Sequence, residues 1–126
     1  MIQDRTLVVV ADNTGAKIGR IFKIVGGSKK RTAGIGDVVI LSVQVAEPRK
    51  MVKKKEILTA VVVRQRKPFR RADGSYIRFD DNAVVVLSKN VKDPFEPKAN
   101  RVFGPIPREI VELGYQKIGS MAPEVV

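Results

Sequence analysis

The sequence predicts a mainly β fold: a small closed or nearly closed β-barrel with a projecting β-ribbon and short C-terminal helices. Short apolar runs recur over the first two-thirds of the chain, turn-forming residues separate them, and no helical pattern lies between them. With 126 residues, 44% of them hydrophobic, the chain is long enough to bury one core. We expect a single domain, with the barrel at about residues 1–90 and a C-terminal loop and small helices at about 91–126.

Five apolar runs predict the barrel strands, at residues 7–10, 18–25, 38–45, 57–63 and 83–86. Turn-forming residues follow the first run at 12–15 and the second at 26–28. The third run alternates, which predicts a strand with one face inward. The residues of that inward face are Val39, Leu41, Val43 and Val45.

A cationic segment lies between two runs that predict buried strands, Ala60 to Val63 and Ala83 to Val86. Asp73 and Gly74 stand near its middle, and an Asp-Gly pair between alternating residues is a strong hairpin signal because Gly accepts the positive φ of such turns. We therefore predict a β-ribbon that leaves the core. The basic residues expected on it are Arg64, Arg66, Lys67, Arg70, Arg71 and Arg78.

The last third of the chain has a different pattern. Residues 89–100 are polar with two prolines and predict a surface loop, and residues 101–106 predict a brief extended piece. Pro107 suits the first position of a short helix that ends at Gly114. A second short helix is predicted over residues 115–121, before Pro123.

The net charge of +11 is concentrated in three clusters without acidic residues, which hold 13 of the 24 basic residues. They comprise Lys29, Lys30 and Arg31; Arg49, Lys50, Lys53, Lys54 and Lys55; and Arg64, Arg66, Lys67, Arg70 and Arg71. Solvated charged loops without a partner are the simpler explanation. A surface that serves only solubility usually mixes both signs of charge, so the pattern favours binding to a polyanion, of which nucleic acid is the commonest.

Catalysis is not indicated. The chain has no Cys and no His, so it lacks thiol chemistry, the usual general base and the commonest metal ligand. The segment from Gly26 to Lys30 lacks the spacing of a phosphate-binding loop, and we assign Asp80 and Asp81 to capping a turn and balancing Arg78. We expect no metal, cofactor or small-molecule substrate. Without a membrane-length apolar run or a signal-peptide pattern, an intracellular protein is expected.

Two aromatic residues, Phe69 and Tyr76, lie in the cationic segment. They could stack on unpaired bases, or they could pack the ribbon against itself or another protein. Contacts with phosphate and sugar, or recognition of the shape of folded RNA, fit so small an aromatic set better.

A spaced pattern runs through the segment from residue 60 to 86. It consists of Ala60, Val61, Val62, Val63, Asp73, Gly74, Phe79, Asn82, Val85 and Val86. This pattern resembles the signature of the universal large-subunit ribosomal protein fourteen family. Segments similar to the bacterial or organellar form of that family lie at residues 10–16, 26–28, 35–37, 52–54, 101–105 and 121–125.

The resemblance implies a five-stranded β-barrel that binds large-subunit rRNA and lies at the subunit interface of a cytoplasmic or organellar ribosome. It also implies contacts with small-subunit rRNA in an intersubunit bridge and with neighbouring large-subunit proteins, number nineteen in bacteria. The C-terminal part of the family is the docking site of a ribosome silencing factor, and Arg101 and Lys117 match basic positions there. Lys55 stands where the family usually has Gly, Arg49 and Lys50 occupy a loop that is more often Gly-rich, and the loop at 92–100 is longer than usual.

We therefore expect a structural RNA-binding protein whose three basic clusters and Arg78 contact RNA. Composition alone leaves one other possibility, a free-standing nucleic-acid-binding module of the OB or SH3-like kind.

Overall fold

A computed structural model describes residues 2–3, 5–26, 31–49, 52–88 and 96–126. Strands predominate, and the two helices come late in the chain. The strands are β1 Ile2–Gln3, β2 Leu7–Val10, β3 Ala16–Ile24, β4 Thr32–Ala33, β5 Val38–Ala46, β6 Ile57–Arg64, β7 Phe69–Arg70, β8 Tyr76–Ile77, β9 Ala83–Val86, β10 Pro105–Ile106 and β11 Glu124–Val125. The helices are α1 Arg108–Glu112 and α2 Gln116–Met121.

Five strands form a closed barrel in the order β2-β3-β5-β6-β9, which confirms the predicted fold. Neighbouring strands are antiparallel except β9 and β2, which close the barrel in parallel with Val9 beside Ala83. Closure pairs both sides of every barrel strand, so none is left as an edge that could pair with another chain. The predicted strand positions are correct to within two residues.

Strand β9, and strand β6 from Ala60 onward, are buried on both faces. Ala60, Val62 and Val84 point into the barrel, whereas Val61 and Val85 face the C-terminal segment. This second core explains why these strands have no polar alternation, because a strand covered on both sides reads as a continuous apolar run.

One predicted inward residue, Val45, is instead 45% exposed. The register between β3 and β5 shifts between the pairs Ile18–Val45 and Gly19–Val43. Such a bulge rotates the following side chains relative to the strand's alternation, so Val39, Leu41 and Val43 stay inside while Val45 turns out.

The C-terminal helices cover the outer face of β6 and β9 with Ile110 and Ile118. Pro107 is the residue before α1, in an extended conformation with φ −77° and ψ 150°, and not the first helical residue as predicted. Both helices are short, and no helix in the described part of the chain could span a bilayer. The parallel pair β10–β11 and a hydrogen bond from the Arg108 N–H to the Val126 oxygen at 2.9 Å join the chain end to α1, and residues 101–126 together form the C-terminal unit.

Candidate nucleic-acid interface

The segments that carry the basic clusters leave the barrel at its two opposite ends. β3 ends and β5 begins at one end, where β6 also ends and β9 begins. The loop with the first cluster and the ribbon with the third therefore leave the barrel together. The loop between β5 and β6, which carries the second cluster, lies at the opposite end.

The ribbon is the two-stranded sheet β7–β8, in which Phe69 pairs with Ile77 and Arg70 with Tyr76. Its loop is closed by hydrogen bonds from the Arg71 N–H to the Ser75 carbonyl, 2.8 Å, and from the Gly74 N–H to the Arg71 carbonyl, 3.0 Å. Gly74 has φ 87°, the conformation expected for glycine at this position of a three-residue hairpin loop. The predicted hairpin is confirmed.

Asp73 stiffens this loop. Its Oδ1 accepts hydrogen bonds from the Ser75 hydroxyl at 2.6 Å and the Ser75 N–H at 3.0 Å. Chiefly because of the Ser75 hydroxyl bond, the pKa of Asp73 lies below its usual value of 3.8.

Arg64, predicted to contact RNA from the ribbon, is instead the last residue of β6 and only 7% exposed. Its Nε lies 2.9 Å from Oδ1 of Asp81, and its Nη1 donates to the carbonyls of Phe103 at 2.8 Å and Pro105 at 3.3 Å. Gly104 has φ 81°, and a Cβ there would collide with this guanidinium. Arg64 therefore holds the ribbon base to the C-terminal segment, and Asp81 balances Arg64 and not Arg78 as predicted.

Gln65 joins the ribbon to the loop of the first cluster. It is 8% exposed; its Oε1 accepts from the Ile35 N–H at 3.2 Å, and its Nε2 donates to the Lys67 carbonyl at 3.0 Å. The Gly36 N–H also donates to the Val62 carbonyl at 2.8 Å. Segment 34–37 is thereby fixed beside the ribbon base.

Arg71 faces the protein. Its Nε lies 2.7 Å from Oε1 of Glu109 in α1, and its Nη2 donates to the Val126 main-chain oxygen at 2.7 Å. The side chains of Arg71 and Glu109 are 13% and 18% exposed. This ion pair fastens the ribbon to the C-terminal unit.

The remaining ribbon cations lie at the surface. They are Arg66, Lys67, Arg70 and Arg78, all exposed. The Nε of Arg66 donates to the Asp80 carbonyl at 2.9 Å, which orients that side chain along the ribbon base.

At the other barrel end, Lys53, Lys54 and Lys55 form an exposed turn. The Glu56 N–H donates to the Lys53 carbonyl at 3.2 Å, and a Glu56 carboxylate oxygen accepts from the Lys53 N–H at 3.2 Å. Lys55 has φ 70° and the exposed Arg49 has φ 66°, left-handed conformations that favour glycine. Lysine and arginine are thus held where a side chain costs backbone energy.

A buried carboxylate supports this end. Asp12 is 3% exposed; its Oδ1 accepts from the Thr14 N–H and hydroxyl, and its Oδ2 accepts from the Val86 N–H at 2.8 Å. Burial raises the pKa of Asp12. Hydrogen bonds from the Glu47 N–H to the Gly15 carbonyl and from the Val52 N–H to the Thr14 carbonyl tie the second basic loop to this turn.

Not every predicted cation lies in the described part of the chain. Arg31 is exposed next to β4, whereas Lys29, Lys30 and Lys50 lie outside the described residues. Among the described residues, no three His, Cys, Asp or Glu side chains come close enough together to hold a metal ion.

The profile of one protein family, described as Ribosomal protein L14p/L23e, matches residues 1–126. The chain belongs to this ribosomal protein family. It is therefore a structural protein of the large ribosomal subunit and assembles there with rRNA and other ribosomal proteins. Membership places it in the ribosome and in a structural, non-enzymatic class.

The two positions carried over from the L14p/L23e resemblance as partner contacts, Arg101 and Lys117, are exposed. The Arg101 guanidinium lies over the ring of Phe103, 5.6 Å from its centre, and Lys117 Nζ lies 3.7 Å from Glu96 Oε1. Arg101 lies between β9 and β10 in the chain, whereas Lys117 is in α2. Both residues belong to the C-terminal unit.

Two residues that position the L14p/L23e ribbon, Gln65 and Glu109, are not among those the sequence predicts. Their partners lie 30 and 38 residues away, and nothing in the local pattern signals such pairing. One signal in the sequence bears on this arrangement: side chains alternate along the ribbon, which places Arg70 and Arg71 on opposite faces.

Proposed function

We propose that this protein binds large-subunit rRNA with exposed cations at both barrel ends. On the ribbon these are Arg66, Lys67, Arg70 and Arg78; the others are Arg31, Arg49, Lys53, Lys54 and Lys55, together with Lys29, Lys30 and Lys50 from the sequence. The observation that carries the proposal is the division of the ribbon arginines, because Arg64 and Arg71 are used inside the protein while the others remain at the surface.

In this proposal the protein acts by holding RNA segments in place. Lysine and arginine neutralise phosphates and release counterions, and the barrel sets the distance between the two cationic ends. Two separated contact regions on one rigid body suit a protein that holds RNA segments in a fixed relation. Catalysis is not part of the proposal.

The decisive test is the salt dependence of binding to a large-subunit rRNA transcript. Replacing Arg66, Lys67 and Arg70 together with Ala should reduce the slope of log K against log salt by about 0.7 to 1 for each phosphate that the variant no longer neutralises. An unchanged slope would mean that the ribbon does not contact phosphate. Replacing Lys53 and Lys54 tests the opposite end in the same way.

Sedimentation separates the ribosomal protein from a free-standing OB or SH3-like module. The protein should migrate with the large subunit and resist a moderate salt wash. Recovery as free protein at the top of the gradient would contradict the proposal.

We further propose that the protein contributes to an intersubunit bridge with small-subunit rRNA, contacts the neighbouring protein nineteen, and docks a ribosome silencing factor on its C-terminal unit. The exposure of Arg101 and Lys117 supports the last contact. Charge reversal of both should weaken capture of the silencing factor by isolated large subunits, while rRNA binding stays unchanged. Equal capture by the reversed variant would remove these residues from the docking surface.

A further inference from the structure

The ribbon has two chemically different faces. The cross-strand pair of Phe69 and Ile77 lies on the face that is partly buried. The opposite face holds the pair Arg70 and Tyr76, and the exposed Arg78 comes two residues after Tyr76, just beyond the end of β8. Tyr76 therefore has Arg70 beside it across the ribbon and Arg78 close to it along the chain.

Tyr76 contributes little to the core. It is 66% exposed, more than any other large apolar side chain in the described part of the chain, whereas Tyr115 is only 5% exposed. Its ring has no stacking or hydrogen-bonding contact with another described residue. An exposed aromatic ring beside two cations offers a flat apolar surface where phosphates are also attracted.

The backbone of the ribbon that carries Tyr76 is held by contacts on its other side and at its base. The Arg71–Glu109 ion pair holds the other side of the ribbon, and Gln65 and Arg66 hydrogen-bond within its base. Binding therefore requires little ordering of the ribbon backbone, and the ordering cost falls on the side chains. A ribbon backbone that is already held in place favours a contact of defined geometry over one in which the ribbon changes shape to fit its ligand.

We propose that Tyr76, with Arg70 and Arg78 beside it, is a stacking subsite for one unpaired base of RNA. The two guanidiniums contact the phosphates on either side of that base. Bases inside a duplex already stack on each other, so the ligand is a loop, bulge or single strand. This inference rests on the proposed rRNA binding.

The first experiment compares Tyr76→Ala with Tyr76→Phe in binding to a large-subunit rRNA transcript. Loss of the ring should weaken binding roughly 5- to 150-fold, the range for one stacked base, while Tyr76→Phe binds like the native protein. The salt slope should not change in either variant because no charge is removed. Arg70→Ala should lower the slope instead.

Phe22→Ala is the matched control. Phe22 is 45% exposed on β3, a strand that does not neighbour β6 or β9 in the barrel. Its removal should leave affinity unchanged. If Tyr76→Ala binds as tightly as the native protein while binding remains salt-dependent, stacking is wrong and the proposed rRNA binding stands. If the native protein itself fails to bind rRNA, both are wrong.

The second experiment uses the absence of tryptophan from the chain. A Tyr76→Trp variant carries one fluorophore at the subsite, and a Phe22→Trp variant carries one on β3. Single-stranded RNA should quench the first and shield it from iodide, whereas an RNA duplex should do neither. Equal effects of single strand and duplex, or shielding only after addition of another ribosomal protein, would overturn the stacking subsite.

Discussion

Arg64 at the end of β6 and Asp81 just before β9 form a salt bridge, with Nε 2.9 Å from Oδ1. The two residues lie where the ribbon leaves the barrel and where it returns. The Arg64 side chain is 9% exposed and that of Asp81 is 36% exposed. This salt bridge therefore joins the two ends of the ribbon at its base, and the Arg64 guanidinium stabilises the fold.

Removing this closure should destabilise the protein without altering RNA contacts. Arg64→Ala leaves the carbonyls of Phe103 and Pro105 without their donor, so we expect a decrease of about 1–3 kcal/mol in the free energy of unfolding. Urea denaturation measures it. The salt slope of rRNA binding should stay that of the native protein.

Lys67→Ala is the matched control for Arg64, because Lys67 is exposed on the same segment. It should change stability by less than about 0.5 kcal/mol and reduce the salt slope. If the salt slope of rRNA binding fell for Arg64→Ala and not for Lys67→Ala, Arg64 would be a residue that contacts RNA.

The contact between Arg71 and Glu109 should govern how firmly the ribbon is held. Glu109→Gln removes the negative partner of a mostly buried arginine, and we expect about 1–3 kcal/mol of destabilisation. Hydrogen exchange at the ribbon amides of Arg71 and Gly74 should accelerate. Glu112→Gln, exposed on the same helix, should leave both unchanged. Unaltered exchange in Glu109→Gln would show that the ribbon is held without α1.

Replacing Lys55 with glycine should increase the stability of the protein and weaken its binding to rRNA. With φ 70° it occupies a conformation that costs a non-glycine residue of order 1 kcal/mol, so Lys55→Gly should raise the free energy of unfolding by up to about 1 kcal/mol. The same change should reduce the salt slope of rRNA binding by about 0.7 to 1. Thermal denaturation and binding in a salt series measure the two effects.

Lys54→Gly is the control for this trade, because its φ is not positive. It should lower stability through the greater flexibility of the unfolded chain and reduce the salt slope similarly. A decrease in stability in Lys55→Gly as large as that in Lys54→Gly would argue against backbone strain at Lys55.

Acid should loosen the ribbon loop through Asp73. Its pKa is lowered in the folded state by the Ser75 hydroxyl and N–H, so the charged form binds its partners better than it does in the unfolded chain. The resulting stabilisation is complete above the usual value of 3.8 and is lost as pH falls below it toward the folded pKa. Protection of the Ser75 amide, measured as its exchange rate relative to the intrinsic rate at the same pH, should therefore fall on acidification. In Asp73→Asn this pH step should be absent, and a step that persists there would assign it to another group.

Local patterns predicted much of the fold. The apolar runs at β6 and β9 marked strands, and Asp73-Gly74 marked the hairpin, because these signals depend on neighbours in sequence. Val45 and Pro107 were placed wrongly. A bulge between β3 and β5 turns Val45 outward, and Pro107, with ψ 150°, has an extended conformation that places it just before α1.

From sequence alone came the barrel and the segments where positive charge collects, since composition and short-range period carry that information, and the spaced pattern at residues 60–86 gave the resemblance to the family. Only the tertiary structure decided which arginines are available to RNA. Alternation separates Arg70 from Arg71, but it cannot say which face meets the protein. That choice depends on Glu109, Asp81 and the carbonyls near Gly104, which reach the ribbon only when the C-terminal unit folds back onto β6 and β9.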